Sequence, residues 1–487
     1  MTSSSPLPAQ PEPGATERAL DGLEELRALA AYVVAPTADV LAGPATALWA
    51  SARLLDSLGN IRHGFTAPIS TAVRTAVDPA DGNGIAAWPD LNGAYRPDDA
   101  GLLLGVYAFS ENYCDTGLGS VAHLGSIVIP ALLIAAQERV VTGRDALAAV
   151  AVGYNVMEYL GATVNGGRPR MASQLKGFRP TASAGPVAAM AVLARLAGLS
   201  AEECRQALAL GCSQGGGLRR SPLAPTAAIR IQSGEAVRRA VQTLRLSRAG
   251  IAAHPDMLRG PGGFFAAYGN GELGHVPVPR TGTDGFLASA SMKLDCTPHT
   301  LVTMLDAVRK LAAKPGEIVA IKVWVPAQHH AISGGAKPLP RTFPEGANHA
   351  SFCLALAAIQ HTYLYPAVVT QGLSDPRVRA LAERVSVTVD DRLTSIFDRD
   401  PLSWPARIRV QWRNGATSEL ELLRPETADW SAHDALDAAA AKVATILGDQ
   451  AGAAADLAAR YAEAESWLDL WADLCADPLT PPRPGIR

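Results

Sequence analysis

Residues 186–197, Pro-Val-Ala-Ala-Met-Ala-Val-Leu-Ala-Arg-Leu-Ala, are apolar on every side except at Arg195. Proline opens the stretch and Gly198 lies just beyond it, the order expected at the two ends of a helix. A helix with no polar face has no place at a surface, so other helices must enclose it. The neighbouring sequence supplies them. Thr142-Gly-Arg-Asp145 and Ser200-Ala-Glu-Glu203 read as capping boxes, in which a hydroxyl accepts the N3 amide hydrogen and the acid reaches back to the cap. The first opens a helix to about Thr163, the second a helix that stops at Gly211. Hydrophobic residues make up 48% of the 487 positions and charged residues 18%, enough to bury a large core.

The pattern changes near residue 286. Val319, Ile321, Val323 and Val325 alternate with other residues along Ile318–Val325, and Val385–Val389 repeats the alternation, as strands with one buried face do. Arg407–Trp412 and Ser418–Leu422 flank Asn414-Gly415, a dipeptide suited to the positive φ angles of a tight hairpin. Helical stretches at Thr300–Ala312, Ser351–Ile359 and Pro376–Glu383 are interleaved with these strands. A third box, Ser431-Ala-His-Asp434, then leads into an Ala-rich helical region up to about Ala476. The chain therefore reads as mainly α, with a large all-helical domain from 18–285 and 426–487 and a smaller α/β domain from 286–425. Residues 1–17, polar and rich in Ser and Pro, read as a disordered tail without the apolar stretch of a signal peptide.

Several functions are disfavoured. A net charge of −3 and a pI near 6.4 give no reason to expect nucleic acid or an anionic membrane as partner. The longest apolar runs, such as Ile127–Ala136, are too short to span a bilayer, and a soluble, cytoplasmic protein is expected. Six cysteines without a C-x-x-C pair suit reduced thiols. Gly269-Asn-Gly271-Glu-Leu-Gly274 fits a dinucleotide pattern but lacks the preceding strand and following helix. Gly215-Gly216-Gly217 reads as a loop after a helix, rather than as an anion-binding nest. His329 and His330, if in a surface strand, point to opposite faces and cannot share a metal. No metal and no redox cofactor are expected.

The remaining segments resemble one family in order. His123-Leu-Gly125-Ser-Ile-Val-Ile-Pro130 is similar to the H-P-G stretch of MmgE/PrpD proteins, and Gly177-Phe-Arg-Pro180-Thr-Ala-Ser-Ala-Gly185 to their G-F-H-P-T-A-x-A-G stretch. Ala209–Gly217, Gly234-Glu-Ala-Val and Gly260-Pro-Gly-Gly-Phe264 follow, and Met292-Lys293-Leu-Asp-Cys296 resembles F-K-P-Y-P-C. The resemblance to 2-methylcitrate dehydratase and cis-aconitate decarboxylase implies a homodimer, with the α/β domain as a lid and a small-molecule site between lid and helices. It also implies cofactor-free chemistry: a proton moves at carbon beside a carboxylate, while cationic side chains hold the charge.

Carried over residue by residue, the resemblance names His123, Lys293, Asp115 and Thr116 as the catalytic group. It puts Asn112, Arg179, Ile229, Arg230 and His329 against the substrate. The family's early Asp falls on Asn112, with Asp115 close by; the His of G-F-H-P is Arg179; a Lys five residues before Gly234 is Ile229; and the lid tyrosine falls near His329. Arginine stays protonated, so Arg179 can clamp or neutralise but cannot act as a base. Ile229 removes a cation, which points away from the usual tricarboxylates. Three functions follow: a lyase or isomerase acting on a small acid, a repurposed cyclase or isomerase of a less charged metabolite in specialised biosynthesis, and a non-catalytic binding protein. The number of cations facing the cavity separates the first two. A collapsed cavity, or one without His123 and Lys293, marks the third.

Overall fold

The computed structural model describes residues 15–80, 84–88, 90–219, 228–269, 272–313, 317–335 and 337–447. The expected tail up to residue 14 and the expected helical continuation to Ala476 lie outside the described residues, while residues 15–17 already belong to helix Ala15–Val33. The protein is mainly α with a small α/β part. Helices Thr46–Gly64, Pro97–Phe109, Gly125–Glu138, Gly143–Asn165, Pro180–Leu196 and Ala228–Arg248 share one hydrophobic core. Gly143–Asn165 is long and apolar enough to cross a membrane, but its apolar stretch is buried among the other helices.

The stretch singled out at 186–197 is enclosed as its composition requires, but its helix starts six residues earlier, at Pro180. Pro186 therefore sits inside the helix, where its missing N–H leaves the carbonyl of Ala182 without its usual partner. The amide of Gly216 donates to that carbonyl at 3.1 Å. The glycine run is thus a pairing segment: Arg179 N donates to Gly217 O at 3.2 Å and Arg219 N to Gly177 O at 2.7 Å. A second close approach joins Pro97–Phe109 to Ala228–Arg248. A Cβ on Gly234 would lie 2.1 Å from the Leu102 carbonyl oxygen, so only glycine lets the two backbones meet there. That contact sets Ile229 and Arg230 beside the end of the Phe109 helix.

The box at Ser200 is complete, with Ser200 N donating to Glu203 Oε2 at 2.8 Å and Glu203 N to Ser200 Oγ at 3.3 Å. The box at Thr142 is half formed. Thr142 Oγ1 accepts from Asp145 N at 3.1 Å, but the carboxylate turns to the hydroxyls of Thr142 and Thr37. The helical part also contains an antiparallel hairpin, Ile85–Ala87 with Asp90–Tyr95, so it is not purely helical.

A second core runs through residues 296–412. Its mixed sheet has the order Val385–Val389, Ile318–Val325, Ala406–Trp412, Thr417–Leu422, with only the first pair parallel. Ile321, Val323 and Val325 are buried as alternation predicts, but Val319 is only half-buried, because the register shifts between Ile318 and Ala320. Gly415 takes φ +85° in the expected hairpin. Arg170 of the helical part clasps this lid: its guanidinium donates to the carbonyls of Phe397, Asp400, Pro401 and Ser403 and to Leu118 O at 2.8–3.0 Å.

The chain then returns. Helix Ala432–Leu447 opens on the reciprocal Ser431–Asp434 box and places Ala435, Ala439 and Val443 in the first core, against Thr46–Gly64. On these two cores we propose 18–285 with the 426–447 return as one domain and 286–425 as the other, with Leu287, Ala290 and Met292 still packed in the first core and the second beginning at Cys296.

Candidate functional site

A cavity of about 660 Å³ lies between the two parts. Asn112, Thr116, His123, Arg179, Ile229 and Arg230 line it from the helical side, and His299, Ile332, Phe343 and Trp404 from the lid. Asp115, Lys293 and His329, also expected in the site, do not line it.

His123 sits in the loop just before helix Gly125–Glu138. Its Nδ1 is 3.1 Å from the backbone oxygen of Asp115 and 3.3 Å from Thr116 Oγ1. A carbonyl oxygen can only accept, so Nδ1 carries the ring hydrogen and Nε2 keeps its lone pair. Burial pushes the His123 pKa well below its ordinary value, and the positive charges of Lys293 and Arg179 push it further down. The imidazole is neutral at neutral pH and able to accept a proton.

Asp115 acts from behind. Its carboxylate accepts from the amide of Gly125 at 2.9 Å and from the Tyr154 hydroxyl at 2.6 Å, both away from the cavity. It fastens the start of the helix that carries the His123 loop. Lys293 is fully buried and donates to Asn112 O at 2.6 Å, Asn112 Oδ1 at 2.8 Å and Thr297 O at 3.1 Å. All three of its hydrogens are committed, so we reassign it from acid–base work to holding Asn112, which has φ +55°. Burial lowers its pKa to about 8. His329 is neither on the surface nor in a strand. Pro326 ends the strand and starts helix Ala327–Ser333, where the His329 ring stacks on Trp404 at 4.9 Å.

Arg179 is the least compensated charge in the site. Its guanidinium lies over the Phe109 ring at 4.2 Å, donates through Nη1 to Ile229 O, and has no partner at Nη2. Burial lowers its pKa to about 9, which still leaves it charged at neutral pH. Its charged neighbours include Arg219 and Arg230, both of which also line the cavity. The cation missing at Ile229 is therefore made up by Arg219, and the expectation of a cation-poor pocket is not met.

Sequence reading missed His299, Arg219 and Glu111. His299 is buried with neither ring nitrogen hydrogen-bonded, its ring edge-on to Trp404 at 4.5 Å, and burial lowers its pKa to about 3. The signal was there: a histidine six residues past Lys293, after Pro298. Glu111 pairs with His63 at 2.5 Å. Among the described residues no group of three or more His, Cys, Asp or Glu side chains is placed to hold a metal.

The lowered His123 pKa predicts the pH profile of any reaction that uses it as base. A depressed pKa means protonation is delayed on acidification, so kcat/KM should run flat through pH 6.5 and fall only at more acid pH. An acid limb centred on 6.5 contradicts this environment for the ring.

A neutral imidazole and an unpaired guanidinium sharing a cavity between a helical body and an α/β lid make an acid–base pocket for an anion. The chain belongs to the MmgE/PrpD family of dehydratase- and decarboxylase-like enzymes: the family's N-terminal domain matches residues 27–275 and its C-terminal domain residues 298–463. It is similar to the cis-aconitate decarboxylase-like protein oryM of Aspergillus oryzae, with 28% identity over 402 residues, 77% of this chain and 81% of that one.

Proposed function

We propose that the protein is a lyase or isomerase that moves a proton at carbon next to a carboxylate. The observation that carries this reading is the His123 Nδ1 contact to the Asp115 carbonyl, which leaves Nε2 as the free base in a cavity with Arg179. The substrate carboxylate pairs with the Arg179 guanidinium, whose buried, unpartnered Nη2 turns toward the cavity to meet it. His123 Nε2 takes the proton, and the C–H electron pair moves toward the carboxylate as an enediolate. Arg179 and a ring N–H of His299 offset the developing charge. Those electrons then expel a leaving group from the neighbouring carbon, or return to a proton at another position. The free base is weak, because burial depresses it and the neighbouring cations depress it further; an anion bound to Arg179 screens part of that charge and strengthens the base on substrate binding. An open cavity holding His123 favours this reading over a non-catalytic scaffold, although Lys293 stands outside it.

Arg179→Met tests the clamp. A charge-assisted hydrogen bond contributes about 1.5–3 kcal/mol, so affinity for a carboxylate ligand should fall about 10- to 150-fold. The same variant should raise the melting temperature, since it removes a buried charge that no described carboxylate pairs with. Unchanged affinity together with a lower melting temperature would make Arg179 a structural residue.

A further inference from the structure

We infer that the acid taken by this site is a dicarboxylate bearing an apolar chain. The inference rests on the carboxylate reading above and adds the rest of the molecule.

The cavity wall divides chemically. Among the described residues Arg179, Arg219 and Arg230 bring three guanidinium groups to it, against one carboxylate, Glu111. Glu111 already lies against His63, and it opposes the burial that lowers the pKa of Arg230, so its charge is shared. Arg179 and Arg219 make no ion pair with any described carboxylate. Two such cations match two carboxylate groups on the ligand: Arg179 is buried and calls for a counter-charge, and Arg219, half-buried at the cavity wall, offers a second anchoring point.

Beside the polar side chains of Asn112, Thr116, His123, Gln174 and His299, much of the wall is apolar. Ile69, Val121, Met171, Ile229, Ile332 and Phe343 come from both parts of the fold and line the same space. Sites of roughly 300–1,000 Å³ suit ligands of drug size, and 660 Å³ lies well inside that range. A six-carbon polycarboxylate would leave most of the apolar wall against water. An alkyl chain on the acid covers it, and Ile229 then has a purpose: an apolar surface where a lysine would repel a methylene chain.

The test is a homologous series, with Kd measured by calorimetry on the wild-type protein for succinate, 2-methyl-, 2-butyl-, 2-hexyl- and 2-decylsuccinate. Each methylene that leaves water is worth about fourfold in affinity, so Kd should drop steeply from methyl to at least hexyl. Dodecanoate, which carries the same chain and one carboxylate, should bind more weakly than decylsuccinate, and turnover of cis-aconitate or 2-methylcitrate should be little or none. Phe343→Ser, at a half-buried position, should flatten the rise from methyl to hexyl. A flat series with measurable succinate binding overturns the chain and leaves the carboxylate reading standing. Dodecanoate binding as tightly as decylsuccinate overturns the second carboxylate. Binding of none of the acids by folded protein overturns the carboxylate reading itself.

Discussion

His123→Gln should lower kcat by about 10²- to 10⁴-fold, the range for losing a positioned general base, with almost no change in melting temperature. The ring is hydrogen-bonded through Nδ1, to the Asp115 carbonyl and the Thr116 hydroxyl, and packs on the Phe109 ring at 4.5 Å; a glutamine amide can supply the donor again and cover the same ring. What glutamine cannot supply is a basic nitrogen where Nε2 stood. The loop keeps its other ties: His123 N still donates to Thr181 Oγ1 at 3.0 Å, and Ser126 Oγ to His123 O at 2.8 Å. Binding of the acid should survive, because Arg179 is untouched. A loss confined to KM would instead make His123 a contact for the substrate rather than a base.

Lys442→Met should destabilise the protein by about 3–5 kcal/mol, the cost of leaving one member of a buried ion pair alone. Lys442 and Asp56 are each 1% exposed and 2.6 Å apart. The ammonium also donates to Tyr113 O at 2.6 Å and lies 4.0 Å from the Tyr113 ring. Helix Ala432–Leu447 thereby grips the backbone one residue past Asn112, whose own carbonyl Lys293 holds. Adding Asp56→Leu should recover most of the stability, since replacing a buried pair by apolar side chains is often neutral or better. Activity should not recover with it, because Tyr113 O has lost its donor and Asn112 is held from one side only. Chemical denaturation of both variants beside their kcat values separates the two effects. Equal recovery of stability and activity would remove Lys442 from any part in shaping the site.

How far the sequence reaches depends on the range of the interaction that decides each feature. Helix caps and the Asn414-Gly415 hairpin are local: a hydroxyl and an acid three residues apart, or a dipeptide that tolerates positive φ, carry their own geometry. Ser200, Ser431 and Gly415 could therefore be placed from residues alone. Pro186 could not, because its place inside a helix depends on Gly216, thirty residues away, satisfying the carbonyl it frees. The same limit applied to the site. His123 and Arg179 face the cavity as the family resemblance implied, but nothing local in Met292-Lys293-Leu says that Asn112 and Thr297 will take up every hydrogen of the ammonium. His329 departs from the surface-strand expectation because Pro326 caps a short helix that buries the ring, a turn of chain set by its packing on Trp404. Arg219 lines the cavity through pairing of its loop with Gly177–Arg179, a contact across forty residues with no sequence signature.

The account stands on His123 Nε2 as a base acting at carbon beside a carboxylate held by Arg179. Deuterium exchange reads that step directly. The wild-type protein and His123→Gln are each saturated in D₂O with the acid that binds most tightly in the succinate series, and the proton on the carbon beside the carboxylate is followed by ¹H NMR. The account predicts steady loss of that signal with the wild type and its retention with His123→Gln, although both bind the acid. Equal loss in both proteins, or retention in the wild type, would contradict it.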